Sequence, residues 1–178
     1  MSVSIRVRGS VDLSSCVDVL ARVHAVGGYP TNWPADPARW LTPSGLIEAW
    51  VASVGDVAVA GHMVITQPHG GEVGHGGLGG HGGRAAVEIG RLFVDPEARR
   101  QGVARALMRH ATDWATERGT GLTLRVTDHL RAAQALYERT GFQLAETSVA
   151  DWTAPDGQPV TVHRYDWHNA SASEPADR

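Results

Sequence analysis

The sequence contains no lysine: all 16 basic residues among its 178 residues are arginines. The protein therefore has no ε-amino group, and no lysine on it can be modified. The absence of lysine and of a GxxxxGK(S/T) pattern argues against a nucleotide-binding P-loop, which needs a lysine for the terminal phosphates. A single cysteine, Cys16, excludes an internal disulfide and lies in a helical pattern typical of a buried thiol.

Long hydrophobic runs are also absent. No apolar segment approaches the length of a membrane span, and the first residues lack the apolar core of a secretion signal. We therefore expect a cytoplasmic protein without a membrane partner. The net charge of −3 argues against general binding of nucleic acids. The hydrophobic fraction of 42% is typical of a globular chain, and the length fits one domain with a substantial core.

Hydrophobic periodicity predicts an α/β domain. Seven segments have the apolar pattern of strands, three have helical spacing, and a short extra helix is expected near Pro37. The predicted strands cover residues 3–7, 47–54, 57–66, 87–94, 122–126, 142–149 and 160–166, and the predicted helices cover residues 12–26, 102–117 and 131–139. The order β-α-(α)-β-β-β-α-β-α-β-β indicates one mixed sheet with helices on its faces.

A glycine-rich segment and a polar tail lie outside these elements. Nine of the fourteen residues 70–83 are glycine. Because ordering so many glycines costs considerable backbone entropy, we expect a flexible insertion within a hairpin. The prediction is a single domain over residues 1–168, with the insertion at 68–84, followed by a disordered tail over residues 169–178.

The segment Arg99–Ala104 lies between a predicted strand and a predicted helix. Such a turn presents the free N–H groups of a helix N-terminus, and this geometry binds phosphate. Gly102 and Ala104 let the backbone approach a ligand closely. Three arginines add positive charge around the turn: Arg99, Arg100 and Arg105. A surface turn with solvated arginines is the alternative that this segment alone leaves open.

Two motifs in this half of the chain resemble one family. The pattern Arg-x-x-Gly-x-Ala at residues 99–104, after a strand that ends in Leu-Phe-Val-Asp-Pro, is similar to the acetyl-CoA loop of the GCN5-related N-acetyltransferases (GNAT). The second motif, Ala133-Gln-Ala-Leu-Tyr-Glu-Arg-Thr-Gly-Phe142, resembles a closing segment of the same family. The resemblance implies a central mixed, mostly antiparallel sheet with a splayed parallel strand pair and flanking helices.

The resemblance also implies a place for the cosubstrate acetyl-CoA. In the family the pantetheine arm enters between the two splayed strands, here residues 87–94 and 122–126, and a bulge at Gly90 would help them to separate. Backbone groups of three residues would pair with the pantetheine: Leu92, Phe93 and Val94. Seven residues would hold the pyrophosphate: Arg99, Arg100, Gln101, Gly102, Val103, Ala104 and Arg105.

Two catalytic residues follow from the same resemblance. Glu88 stands on the central strand, where some family members carry a glutamate that deprotonates the amine, and pairing with Arg91 is its structural alternative. Tyr137 stands where the family places a tyrosine that protonates the departing CoA thiolate, and packing in the core is its alternative.

One position departs from the family pattern. Leu130 stands where many members have an asparagine that binds the pantetheine. Asp128 and His129 are candidates to replace that contact. His129 is also a reserve candidate for the general base, with a solvated loop histidine as the alternative.

The acceptor side carries no diagnostic motif. Trp33 and Trp40 lie in the segment that lines the acceptor site in the family and, with Trp50, could form an apolar or cation-binding wall or pack in the core. Asp36 and Glu48 would suit a cationic amine. The histidines of the glycine-rich segment match no structural zinc pattern, so no metal is predicted: His69, His75 and His81.

These observations predict an acyl-CoA-dependent N-acetyltransferase. It would move an acetyl group from acetyl-CoA to a primary amine of a small molecule or peptide by direct attack, without a metal or a nucleic-acid partner, as a monomer or homodimer. A catalytically silent acyl-CoA-binding sensor is the alternative, because the cofactor loop alone is common to both.

Overall fold

The computed structural model describes residues 2–68 and 86–169. In these residues, the strands are β1 (Val3–Val7), β2 (Leu46–Val54), β3 (Val57–Thr66), β4 (Val87–Val94), β5 (Leu122–Thr127), β6 (Gln143–Thr153) and β7 (Pro159–Trp167). The helices are α1 (Leu13–Gly27), α2 (Pro37–Trp40), α3 (Val103–Arg118) and α4 (Arg131–Arg139). Residues 69–85 and 170–178, which hold most of the predicted insertion and tail, lie outside the described residues.

The strands form one mixed sheet in the order β1-β2-β3-β4-β5-β7-β6. The pair β4–β5 is parallel, and the other neighbouring strands are antiparallel. The predicted order of elements and the mixed, mostly antiparallel sheet are therefore confirmed. The strand predicted over residues 142–149 continues to Thr153 as β6, which pairs with β7. None of the helices in residues 2–68 and 86–169 is both long and apolar enough to cross a membrane.

Each face of the sheet carries its own hydrophobic core. On one face, α1 packs through Cys16 and Leu20 against strand residues that include Phe93. On the other face, α3 packs through Leu107, and the same core includes Tyr137 of α4. Burial raises the pKa of the Cys16 thiol to about 11, so this residue stays protonated and is the structural thiol that the sequence predicts.

The absence of a side chain at Gly61 of β3 lets α3 lie close to the sheet. A Cβ atom built there would lie 2.7 Å from Val103 Cγ1, 3.1 Å from Leu107 Cδ1 and 3.2 Å from the Phe93 carbonyl oxygen. Val103 and Leu107 belong to the first and second turns of α3. The position of the α3 N-terminus relative to β4 therefore depends on this glycine.

Candidate active site

The parallel strands β4 and β5 separate part of the way along their length. Their paired residues are Val87 with Leu122, Glu88 with Thr123, and Ile89 with Leu124, and the pairing ends there. Both strands continue, to Val94 and Thr127, on either side of a gap. A cavity of about 890 Å³ occupies this gap and is bordered by residues of both strands.

A β-bulge shapes the β4 side of the gap. Gly90 pairs with Val64, and Phe93 pairs with His62. Between these two pairs, β4 has two residues and β3 has only one, which defines a β-bulge. The extra residue is Arg91, whose φ of 50° lies in the left-handed region. The bulge was predicted at Gly90, and the structure places it one residue further along. Leu92, Phe93 and Val94, the predicted pantetheine contacts, all border the cavity.

His62 of β3 lies directly behind this bulge and is fully buried. Its Nδ1 lies 3.0 Å from the Arg91 carbonyl oxygen, and its Nε2 lies 2.9 Å from Nη1 of Arg8. Burial lowers the pKa of His62 to about 3, and the charges of Arg8 and Arg91 act in the same direction. The imidazole is therefore neutral at physiological pH.

The protein is expected to lose stability as the pH falls below 6.5, because of His62. In the unfolded chain this histidine titrates near 6.5, whereas in the folded protein it titrates near 3. Between these values the unfolded chain binds the extra proton, so the free energy of unfolding falls by up to about 1.4 kcal/mol per pH unit. Urea unfolding at about pH 7 and about pH 5 measures this loss. A His62→Asn variant should lose the histidine component, and equal pH slopes in variant and parent would contradict the assignment.

The predicted pyrophosphate loop has the backbone of an anion site. Arg100 and Gly102 have φ values of 61° and 82°, and α3 begins directly afterwards. The first helical hydrogen bond runs from Ala106 N to Gly102 O (2.9 Å), so the N–H groups from Gly102 to Arg105 precede it. Arg99 borders the cavity, and the other six predicted loop residues continue from it around the N-terminus of α3.

An ion pair between the buried Asp95 and the half-exposed Arg22 fixes this loop to α1. The Asp95 carboxylate accepts a hydrogen bond from Arg22 Nη2 (2.5 Å) and another from Glu97 N (3.1 Å). Burial acts to raise the pKa of Asp95, but these hydrogen bonds and the charges of Arg22 and Arg99 more than offset it, so the pKa lies below its usual value. Asp95 thus stays ionised and holds the segment between β4 and α3 in place.

The two predicted catalytic residues lie on opposite faces of the sheet, at the same gap. Ile89 packs into the α3 core, so its neighbour Glu88 faces the α1 side, where it borders the cavity. Tyr137 belongs to the α3 core, packs against Phe142 and Tyr165, and borders the cavity from the α4 side. Burial raises the pKa of Tyr137 far above its usual value, so its phenol stays protonated.

Tyr29 is a cavity residue that the sequence analysis missed. It follows α1 and borders the cavity together with Trp40, whose ring it meets edge-on at 6.1 Å. Burial raises the pKa of Tyr29 to about 12, and Tyr29 is close enough to Tyr137 to raise the pKa of Tyr137 further. Tyr29 follows the two glycines that end α1, and nothing in that local sequence indicates that its side chain borders a cavity.

Of the two residues considered as replacements for the family's asparagine, only His129 borders the cavity. Leu130 and His129 border the cavity, but Asp128 binds His163 Nε2 (3.0 Å) and lies near Arg131 (3.5 Å). Asp128 is not among the cavity residues, which argues against it as the replacement for the family's asparagine. A buried residue that the sequence analysis missed, Gln134, holds the loop before α4 by donating to the carbonyl oxygens of Thr127 and Asp128.

The three tryptophans considered for the acceptor site separate into different environments. Trp40 borders the cavity, and the Arg91 guanidinium lies 4.9 Å from its ring centre. Trp33 packs on His24 outside the cavity, and Trp50 is a core residue. Trp152 of β6 completes the wall and was not predicted.

The acidic residues suggested for a cationic amine do not line this site. Asp36 caps α2 by accepting a hydrogen bond from Arg39 N, and Glu48 lies in β2. Neither of them is a cavity residue. Within residues 2–68 and 86–169, no group of three or more metal-ligating side chains occurs, and the three histidines of the glycine-rich segment lie outside these residues.

A sheet that opens between two parallel strands, beside a helix N-terminus suited to phosphate, is the architecture of acyl-CoA-dependent acetyltransferases. The chain belongs to the acetyltransferase (GNAT) family, whose model matches residues 21–142. The predicted family and fold are thereby confirmed.

Known proteins similar to this chain agree with the family assignment. Over 68 residues, the chain is 41% identical to streptothricin acetyltransferase of Streptomyces lavendulae, and the match spans 36% of this chain and 36% of that protein. The ribosomal-protein-S18-alanine N-acetyltransferase of Escherichia coli has a similar structure, with a TM-score of 0.69, 21% identity and coverage of 98% of this chain and 99% of that one. Arabidopsis thaliana NAA60 in complex with acetyl-CoA gives a TM-score of 0.70 at 19% identity, with 94% and 99% of the two chains covered.

Proposed function

We propose that the protein transfers an acetyl group from acetyl-CoA to a primary amine of a small molecule or peptide, as a single domain over residues 1–168. The observation that carries this proposal is the gap between β4 and β5, where Glu88 and Tyr137 approach one cavity from opposite faces of the sheet. Membership of the GNAT family supports the same activity. The cytoplasmic location, the absence of a nucleic-acid partner and the monomeric or homodimeric state stay predictions.

The residues around the gap fit acetyl-CoA. The N–H groups from Gly102 to Arg105 and the nearby arginines match a pyrophosphate in charge and hydrogen bonding. The separated strands offer unpaired backbone groups on β4 for the amides of the pantetheine arm. When bound, acetyl-CoA supplies the activated acetyl group.

The chemistry is a direct attack within the gap. The amine nitrogen bonds to the acetyl carbonyl carbon while the carbon–sulfur bond breaks, and the sulfur leaves with the electron pair of that bond. Glu88 takes the proton that the amine must lose, directly or through one water. Tyr137 gives its proton to the sulfur from the other face of the sheet. N–H groups of the bulged strand polarise the thioester carbonyl.

Thiol release from acetyl-CoA, measured across a panel of amines, tests the proposed function. The panel should contain amine antibiotics, polyamines, amino acids and peptides with free N-termini, and mass spectrometry should identify any acetylated product. We expect release of one thiol for each acetyl group gained by at least one amine. Tight CoA binding without transfer to any amine would contradict the proposal and favour the sensor.

Replacement of Glu88 by glutamine is expected to lower kcat/KM for the amine about 100-fold, because the amide cannot accept the proton. Binding of CoA, measured by calorimetry, should change little, since Glu88 faces the acceptor side of the gap. The matched control is Glu146→Gln on β6, whose carboxylate pairs with Arg164 outside the main cavity. Equal losses in the two variants would assign Glu88 a structural role.

A further inference from the structure

His62 takes no part in the two proton transfers that we propose for Glu88 and Tyr137. His62 does not border the cavity, and its ring stacks on Phe93 with the ring centres 5.0 Å apart and the planes 21° apart. Both ring nitrogens have partners at hydrogen-bond distance, Arg8 on one side and the Arg91 carbonyl on the other. A fully buried imidazole that contacts the bulge beside the cavity needs its own explanation.

Arg8 determines the tautomer of His62. A guanidinium only donates hydrogen bonds, so the Nε2 atom that faces Arg8 must accept. In the neutral ring the proton is then on Nδ1, and Nδ1–H donates to the Arg91 carbonyl. Arg8 is itself held by hydrogen bonds to the Leu41 carbonyl (2.7 Å) and to Thr42 Oγ1 (2.8 Å).

The hydrogen bond from His62 stabilises an unfavourable backbone conformation at Arg91. A left-handed φ such as the 50° of Arg91 is disfavoured for a residue with a Cβ atom, because that atom crowds the following carbonyl oxygen. The side chain of Arg91 is held separately, because its Nε donates to the Trp40 carbonyl oxygen (3.1 Å). The carbonyl of Arg91 is thus held by a residue of β3, and its side chain is held by a residue of α2.

The direction of the Arg91 carbonyl fixes the direction of the next N–H group. In a trans peptide the C=O and the following N–H lie in one plane and point in opposite directions. The Arg91 carbonyl points towards the His62 ring, so the N–H of Leu92 points away from that ring. Leu92 borders the cavity.

We propose that His62 is a positioning residue for acetyl transfer, which holds the Arg91 carbonyl so that the Leu92 N–H points into the gap and polarises the thioester oxygen. This inference rests on the proposed function. Negative charge grows on that oxygen during attack, and a fixed N–H donor in a water-poor site stabilises it without reorganisation. Arg8 contributes by keeping the proton of the imidazole on Nδ1.

Two substitutions of His62 separate its two hydrogen bonds. In His62→Asn the amide nitrogen takes the place of Nδ1 and can still donate to the Arg91 carbonyl, whereas the contact with Arg8 is lost. In His62→Gln the amide oxygen takes the place of Nε2 and can still accept from Arg8, whereas the donor to Arg91 is lost. Both amides are neutral and polar, so the pair is matched.

His62→Gln is expected to lower kcat about 100-fold, the usual loss for one oxyanion donor, and His62→Asn less than tenfold. The Kd for CoA, measured by calorimetry, should be similar in the two variants, because the pyrophosphate loop is not altered. The reverse order of kcat, or equal losses in both variants, would overturn the proposal. Transfer to no amine by the parent enzyme would instead overturn the proposed function.

The tautomer can be measured in the parent protein without any activity. Nitrogen-15 NMR distinguishes a protonated Nδ1 from a protonated Nε2, and it does not depend on the folding of a variant. We expect His62 to carry its proton on Nδ1, both in the free protein and with CoA bound. A proton on Nε2, or a doubly protonated ring near pH 7, would overturn the proposal.

Discussion

Replacement of Tyr137 by phenylalanine is expected to lower kcat about 100-fold while the Kd for CoA stays nearly constant. The phenol is almost completely buried, with 7% exposure, and borders the gap from the α4 face. Because burial raises its pKa far above the usual value, it remains a proton donor throughout the pH range in which the protein would work. Without this donor the sulfur must leave as an unprotonated thiolate. Steady-state kinetics together with calorimetry of CoA binding measure the two quantities.

Tyr165 provides a matched control for this substitution. It lies in the same core, meets the Tyr137 ring at 6.0 Å and donates its hydroxyl proton to Glu138 Oε1 (3.1 Å), but it does not border the cavity. Tyr165→Phe should therefore cost some stability and leave kcat close to that of the parent. If kcat of Tyr137→Phe also equalled that of the parent, Tyr137 would be a packing residue only.

The substitution Gly61→Ala is expected to destabilise the protein by about 1–3 kcal/mol and to weaken binding of CoA. The new methyl group would lie 2.7 Å from Val103 Cγ1 and 3.2 Å from the Phe93 carbonyl oxygen. A backbone carbonyl cannot rotate away, and valine in a helix has one strongly preferred rotamer. The first turn of α3 must then move, and its N–H groups move with it. We expect at least about a tenfold rise in Kd, equivalent to about 1.4 kcal/mol.

Two further variants control for the Gly61 substitution. Gly90→Ala adds the same methyl group to the neighbouring strand, where the nearest atom is Val64 Cγ2 at an ordinary 3.6 Å, and should unfold at nearly the parent temperature. Val103→Ala removes the Cγ1 atom that Gly61→Ala would strike. The double variant should thus be more stable than the sum of the single effects predicts. Strict additivity would contradict a steric cause.

Local patterns in the sequence predicted the order of elements but not the exact site of the bulge. Periodicity depends on neighbouring residues, so β4 and α3 were recognisable from their own residues. The bulge was predicted at Gly90 because glycine is the usual residue at such sites. The structure has it at Arg91, where His62 from β3 holds the carbonyl. That contact spans 29 positions of the chain, and no pattern within β4 indicates it.

The walls of the cavity were harder to predict for the same reason. Trp40 belongs to a short helix and Trp50 to a strand, and neither local pattern indicates that the first borders the cavity while the second packs against Trp114 in the core. Trp152 reaches the cavity because β6 continues past the predicted end of its strand. Asn32 donates to the Thr153 carbonyl oxygen and joins the segment after α1 to that strand. Contacts between segments so distant in sequence leave no local signal.

A crystal structure of the protein with CoA tests the proposed cofactor site directly. We expect the pyrophosphate oxygens to lie about 2.7–3.2 Å from the backbone nitrogens between Gly102 and Arg105. We also expect the pantetheine arm beside Leu92 and Val94, with the sulfur next to the Tyr137 hydroxyl. A pyrophosphate bound away from the α3 N-terminus, or a pantetheine arm outside the gap between β4 and β5, would contradict the proposed site.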